Sequence, residues 1–239
     1  MPSTFIDLTN ELLRKFNEVE LTEGTFVGAR GIQGRAKDAI QNTVNKINQI
    51  AWNWPFNATA REEPLVVGQE EYLWPSNMAR PDWDSFQIQR NTEQNINSKT
   101  LAFQDRDKYY AYYRDLDDDR QPLGRGLPDF VYPSHGNGYG VTPSPDRPYT
   151  IRYRFWQTPP KLVQPLDQVT IPDQFDYVII SGAAVDMHNF YDNAEAASIM
   201  RSEFSSNLSY MRGILLNNYH TLRDHRVNFG GNNRRSIFF

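Results

Sequence analysis

The sequence predicts an α+β protein: a helical bundle of about four main helices with a β-rich insertion and an extended C-terminal tail. Three observations predict it. Apolar residues recur at helical spacing towards both ends of the chain. Short alternating segments divided by Gly and Pro fill the middle. The last residues carry no periodic pattern. The expected organisation is a single domain over residues 1–217, with helices at 4–19, 32–52, 173–191 and 194–217. The β-rich insertion falls at about 60–165, and an arm occupies 218–239.

Thr4 caps the first helix, with Asp7 on the first turn. Leu8, Leu12, Leu13 and Phe16 share one face. TEGTFVGARG is a glycine-punctuated loop. In the second helix Ile32, Ala36, Ile40, Val44, Ile47 and Ala51 make an apolar stripe, and Pro55 ends it. The segments LVV and EEYLWP flank Gly68-Gln69, which predicts a hairpin. SFQIQR, residues 85–90, alternates as a strand, and residues 100–103 form a short one. Residues 105–115 form a short helix whose Tyr109, Tyr110, Tyr112 and Tyr113 surround the axis. Further strands lie in DFVYPS, YGVTPS and YTIRYRFWQTP. In the last, Ile151, Tyr153 and Phe155 take one face and Arg152, Arg154 and Trp156 the other. Pro143, Pro145 and Pro148 suit edges and loops. Pro172-Asp173 opens the third helix. After the DNAEAA turn, Ala197, Phe204, Leu208, Met211 and Leu215 form the seam of a near-antiparallel helical hairpin.

Composition narrows the function. The 239 residues suffice for a substantial core, and the 14 Phe, 13 Tyr and 5 Trp point to assembly as well as packing. The net charge of −4 argues against a general nucleic-acid binder, which needs a basic face. The absence of cysteine excludes disulfides, thiolate metal sites and a cysteine nucleophile. MPSTFIDLTNELLRKF lacks a basic start followed by an apolar run, so a cytosol-like compartment is expected and no secretion signal. No stretch approaches the ~20 apolar residues of a membrane span.

Motifs for chemistry are weak. Asp115 to Asp119 resembles the start of a calcium loop, but Arg120 and Gly126 stand at the positions that need glycine and glutamate. HGNGYG lacks the following helix of a phosphate cradle. His135, His188, His220 and His225 have no zinc spacing, and no nucleophile elbow appears. No catalytic, cofactor-binding or metal residue is expected.

Interfaces are the stronger reading. Arg30 and Arg35 flank a glycine-rich helix entry, as ordinary exposed side chains or as an interface with an acidic partner surface. Trp52, Trp54 and Phe56 either anchor a lateral interface or cap the helix pair. The final RVNFGGNNRRSIFF is basic, glycine-rich and aromatic-tipped. Either the tip folds onto its own core, or Arg226, Phe229, Arg234, Arg235, Ile237, Phe238 and Phe239 order on a partner.

Three stretches together resemble the head-to-tail adaptor proteins of tailed bacteriophages, also called connector or tail tubular proteins. They are FIDLTNELLRKFNEVEL with ARGIQGRAKDAIQNTVNKINQIAWNWPF, EEPLVVGQEEYLWP with DWDSFQIQR, and PYTIRYRFWQTPPKLVQPLDQVTIPDQF. The resemblance implies a structural virion protein of the neck, without enzymatic activity or cofactor. It implies a homo-oligomeric ring, usually a dodecamer, assembled in the host cytoplasm. Its partners would be the portal protein, the next tail or nozzle protein, and double-stranded DNA passing without sequence-specific binding; no membrane is involved. The arm at residues 228–239 would reach the portal or a neighbouring subunit. The competing expectations are a virion-associated hydrolase or carbohydrate-binding tail component, and a nucleic-acid regulator.

Overall fold

The computed structural model describes residues 3–92, 95–112 and 124–216. The chain is mixed α+β and divides into two compact units. One contains the residues up to Asn57 together with those from Pro159 onward; the other is Ala58–Thr158. The insertion was expected to end at about 165, whereas the chain returns to the helical unit at Pro159.

The helical unit is built from α1 (Phe5–Lys15), a single turn α2 (Glu23–Phe26), and α3 (Gly31–Ile50). Two further helices belong to it, α5 (Asp176–Phe190) and α6 (Ala194–Leu215). Thr4 and Asp7 close a capping box that satisfies otherwise orphaned backbone donors at the start of α1. The helix stops short of the expected residue 19. Asn17 enters the left-handed region at φ 55°, and Glu18 N–H donates back to the Leu13 carbonyl at 3.0 Å. TEGTFVGARG is more ordered than a plain loop, because α2 forms within it and buries Phe26 against Phe5 at 5.0 Å.

Helix α5 is apolar almost all round, so it sits inside the unit with α1, α3 and α6 packed on it. Gly182 allows the closest approach. A Cβ there would stand 2.5 Å from the Thr43 methyl and 2.8 Å from the Phe204 ring, so those side chains would have to shift. On α6 only Ala197, Leu208 and Met211 are fully buried, with Phe204 and Leu215 partly so; this is the expected seam.

The second unit has a five-stranded sheet and a four-stranded sheet that share one core. In the first, β9 (Thr150–Gln157) is central. It pairs antiparallel with β1 (Ala58–Pro64), β3 (Met78–Pro81) and β4 (Gln87–Thr92), and β4 continues to β5 (Asn95–Thr100). In the second, the order is β2 (Glu71–Leu73), β8 (Gly138–Thr142), β7 (Phe130–Pro133) and β6 (Ala102–Phe103). A short helix α4 (Arg106–Tyr112) precedes β7. The hairpin expected around Gly68-Gln69 does not form. The turn exists, with Gly68 at φ 75°, but β1 pairs with β9 and β2 with β8. The flanking segments are claimed by partners far along the chain, because Leu65 must enter the aromatic core. The alternation read in β9 is observed: Ile151, Tyr153 and Phe155 are buried while Arg152 and Arg154 are exposed.

Candidate interface surfaces

Glu63 forms the most convergent group. Its Oε1 accepts from the Tyr139 hydroxyl at 2.6 Å and the Tyr153 hydroxyl at 3.1 Å, and its Oε2 accepts from Arg61 Nε at 3.0 Å. Burial pushes both phenols far above their ordinary range, reinforced by the neighbouring carboxylate. Both tyrosines are fully buried. The cluster satisfies a carboxylate at the rim of an aromatic core, and no substrate can reach its hydroxyls.

Asp176 begins α5. Its Oδ2 accepts from the Ser3 hydroxyl, and its buried Oδ1 has no partner among the described residues. Burial raises its pKa, with Glu11, Asp173 and Asp7 adding to the rise and the Ser3 hydrogen bond opposing it. Asp167 behaves oppositely. Its carboxylate accepts from the Val163 and Gln164 N–H groups at 2.6 and 2.7 Å, which holds its pKa down.

The HGNGYG segment is a turn running into β8. A Cβ on Gly138 would fall 2.0 Å from the Tyr72 carbonyl oxygen, and one on Gly140 would fall 2.1 Å from the Tyr132 ring. These glycines allow β8 to lie close against its neighbouring strands β2 and β7. Residues 115–119, His220 and His225 lie outside the described residues. Among the described residues no group of three His, Asp or Glu could hold a metal ion, and no helix is long and apolar enough to cross a membrane.

The interface residues fall into separate places. Arg226, Phe229, Arg234, Arg235, Ile237, Phe238 and Phe239 lie outside the described residues. Arg30 and Arg35 are exposed, and the Arg35 guanidinium lies 5.8 Å over the Phe190 ring. Trp52 is half exposed. Trp54 is fully buried, stacks on Phe56 at 5.4 Å and donates from Nε1 to the Ile47 carbonyl at 2.8 Å. Trp54 therefore closes the end of α3 and offers no face to a partner; half-buried Phe56 goes with it, and Trp52 alone of the three is exposed. Sequence reasoning overlooked the outer face of α6. There Ser198, Ser202, Ser205 and Ser209 follow one another at steps of four, three and four, all exposed. That spacing is visible in the sequence, beside the apolar seam of the same helix.

The model of the SU10 adaptor protein family matches residues 3–233, which takes in both units. The chain belongs to the SU10 adaptor protein family. No curated protein matches it. As an SU10 adaptor it is a structural phage protein.

Proposed function

We propose that this SU10 adaptor forms a ring that joins the portal at the phage head to the tail and encloses part of the DNA channel. The observation that carries the reading is the family match across both units, which makes the whole chain the adaptor. Its location is then the head-tail junction, and its assembly takes place in the host cytoplasm. The net charge of −4 suits a conduit, since each phosphate held by Lys or Arg must be released during ejection. A twelvefold ring closed by heterologous contacts needs two different complementary faces on each copy. Residues 228–239, with their arginines and terminal aromatics, are the segment we assign to the portal or a neighbouring subunit.

Purified chain mixed with its portal should yield uniform rings seated on the portal in negative-stain micrographs. Absence of rings both there and on virions overturns the proposal. Deleting residues 228–239 should leave a folded monomer that no longer attaches; unchanged attachment removes the role assigned to the arm. Turnover of peptidoglycan or polysaccharide by the purified chain would instead favour a virion-associated hydrolase.

A further inference from the structure

Three helices bring their ends together at one end of the helical unit. Helices α1 and α5 both start there, side by side: the Ser3 hydroxyl donates to Asp176 at this end, and Phe16 meets His188 at 4.8 Å at the other. Helix α6 runs back along α5, with Phe204 against Gly182 and Asn207 Nδ2 at 3.5 Å from Ser181 Oγ. Its last turn therefore arrives where α1 and α5 begin. Residues 217–239 continue from that point and lie outside the described residues.

The end carries two surfaces of different character. Beside the last turn of α6, Tyr177, Tyr210 and Ile214 are 38%, 64% and 38% exposed. Tyr210 and Ile214 are four apart on one helix face. Tyr177 is their neighbour on α5: burial raises its pKa, and the Tyr210 phenol adds to the rise. Single exposed apolar residues are ordinary on any surface, whereas these stand together where the chain leaves the helix. Further across, at the starts of α1 and α5, lie Asp7, Glu11, Asp173 and Asp176. Burial raises the pKa of Asp176 against the Ser3 hydrogen bond, and the other three carboxylates add to the rise, so the four share one field. Asp7, Glu11 and Asp176 form no ion pair among the described residues. A first-turn carboxylate suits a helix start, but two parallel starts concentrate the negative charge in one place.

We propose that residues 217–227 fold back over this end of their own copy. The order of residues in the segment follows the order of the surfaces. Tyr219 and Leu222 come first, next to Tyr210, Ile214 and Tyr177; Arg223 and Arg226 come after, at the carboxylates. Reach is adequate. Packed helices stand about 10 Å apart, so the path from α6 across α5 to α1 is roughly 20 Å. An extended chain from Leu216 carries Arg223 about 23 Å and Arg226 about 33 Å. A guanidinium donates to carboxylates through a fork of N–H groups, which suits closely spaced acids. The tether favours the same copy over a neighbour, because a short link gives an effective concentration in the millimolar range. The contact goes beyond the ring reading and does not depend on it. Its consequence is a fixed root for the arm, so that residues 228–239 leave from the end where α1 and α5 begin.

Full-length chain at low concentration provides the test. Trypsin should cut quickly at Arg234 and Arg235 and slowly at Arg223 and Arg226, read by intact mass. Glu11→Gln with Asp173→Asn should speed cleavage at Arg223 and Arg226 about tenfold, two exposed ion pairs together being worth about that much. A segment protected only by continuing α6 would not respond to these carboxylates. The absence of cysteine allows a second measurement. Asp173→Cys with Arg226→Cys should oxidise within one copy, seen as a faster band on a non-reducing gel. Glu195→Cys with Arg226→Cys, which uses the far end of α6, should not. Cleavage at Arg223 and Arg226 as fast as at Arg235 overturns the contact, and so does protection that the carboxylate variant leaves unchanged. A disulfide formed only between copies, or equally by the Glu195 pair, also overturns it. Ring formation on the portal is read separately in micrographs and stands or falls on its own.

Discussion

The two units solve the burial problem with different chemistry. The helical unit buries aliphatic side chains such as Leu8, Leu12, Ile40, Ile47 and Ile179, with small residues where helices cross. The β unit buries Phe86, Tyr139, Tyr149, Tyr153 and Phe155, with Trp74 and Trp83 partly exposed against them. Aliphatic packing is non-directional and costs most when a polar group is introduced. Aromatic packing brings hydroxyls that must find partners inside, as Tyr139 and Tyr153 do at Glu63. The helical core should therefore respond chiefly to volume and charge, and the β core to lost hydrogen bonds.

The largest effect expected is Ile40→Asp. Ile40 is fully buried, and an unpaired carboxylate there should cost about 4 kcal/mol or more and unfold the helical unit. Far-ultraviolet dichroism at 222 nm should collapse while the near-ultraviolet aromatic signal of the β core persists. Loss of both signals together would break the comparison between the two cores. Next comes Gly182→Val, whose new atoms meet Thr43 and Phe204; about 1–3 kcal/mol is expected from overpacking, measured as a lower urea midpoint at unchanged slope.

In the β unit, Tyr139→Phe removes one donor from Glu63 without opening a cavity. It should cost about 1–2 kcal/mol, more than Tyr153→Phe, whose hydrogen bond is longer. Equal losses would mean that the carboxylate shifts to compensate. The smallest effect should come from Asp176→Asn. A carboxyl with a raised pKa destabilises the fold once ionised. The contribution of Asp176 should thus be fully present below the ordinary value of 3.8 and be lost as pH rises through the raised value, opposite in sign to that of Asp167. At neutral pH the Asn variant should melt at most a few degrees higher, and the difference should vanish in acid. A wild-type advantage at neutral pH would show that Ser3 and the helix terminus hold the charge better than burial penalises it.

Legibility also differs between the units. In the helical unit, spacing alone located both helical pairs, because an amphipathic helix writes its buried face at steps of three and four in a single segment. The end of α1 was misplaced, since Asn17 turns the chain through a left-handed conformation that periodicity does not report. In the β unit the strands near residues 85–90, 130–133 and 150–157 were readable, yet their partners were not. A strand announces which face is buried, not which strand lies beside it. The Gly68 turn misled for that reason. Among interface residues, the exposed arginines at 30 and 35 were legible as long side chains at a helix entry. The fate of Trp54 was not, because its indole N–H finds the Ile47 carbonyl only once the chain has left the helix at the extended Ala51.

The sequence by itself determined the α+β class, the order of helices and strands, the faces they bury and the resemblance that family membership supports. These follow from local periodicity and capping, which neighbouring residues settle among themselves. Tertiary structure alone decided the sheet order, the return to the helical unit at Pro159, the burial of Trp54 and, among the described residues, the unpartnered oxygen of Asp176. Each of these depends on residues far apart in the chain competing for the same space, and that competition is resolved only when the core closes.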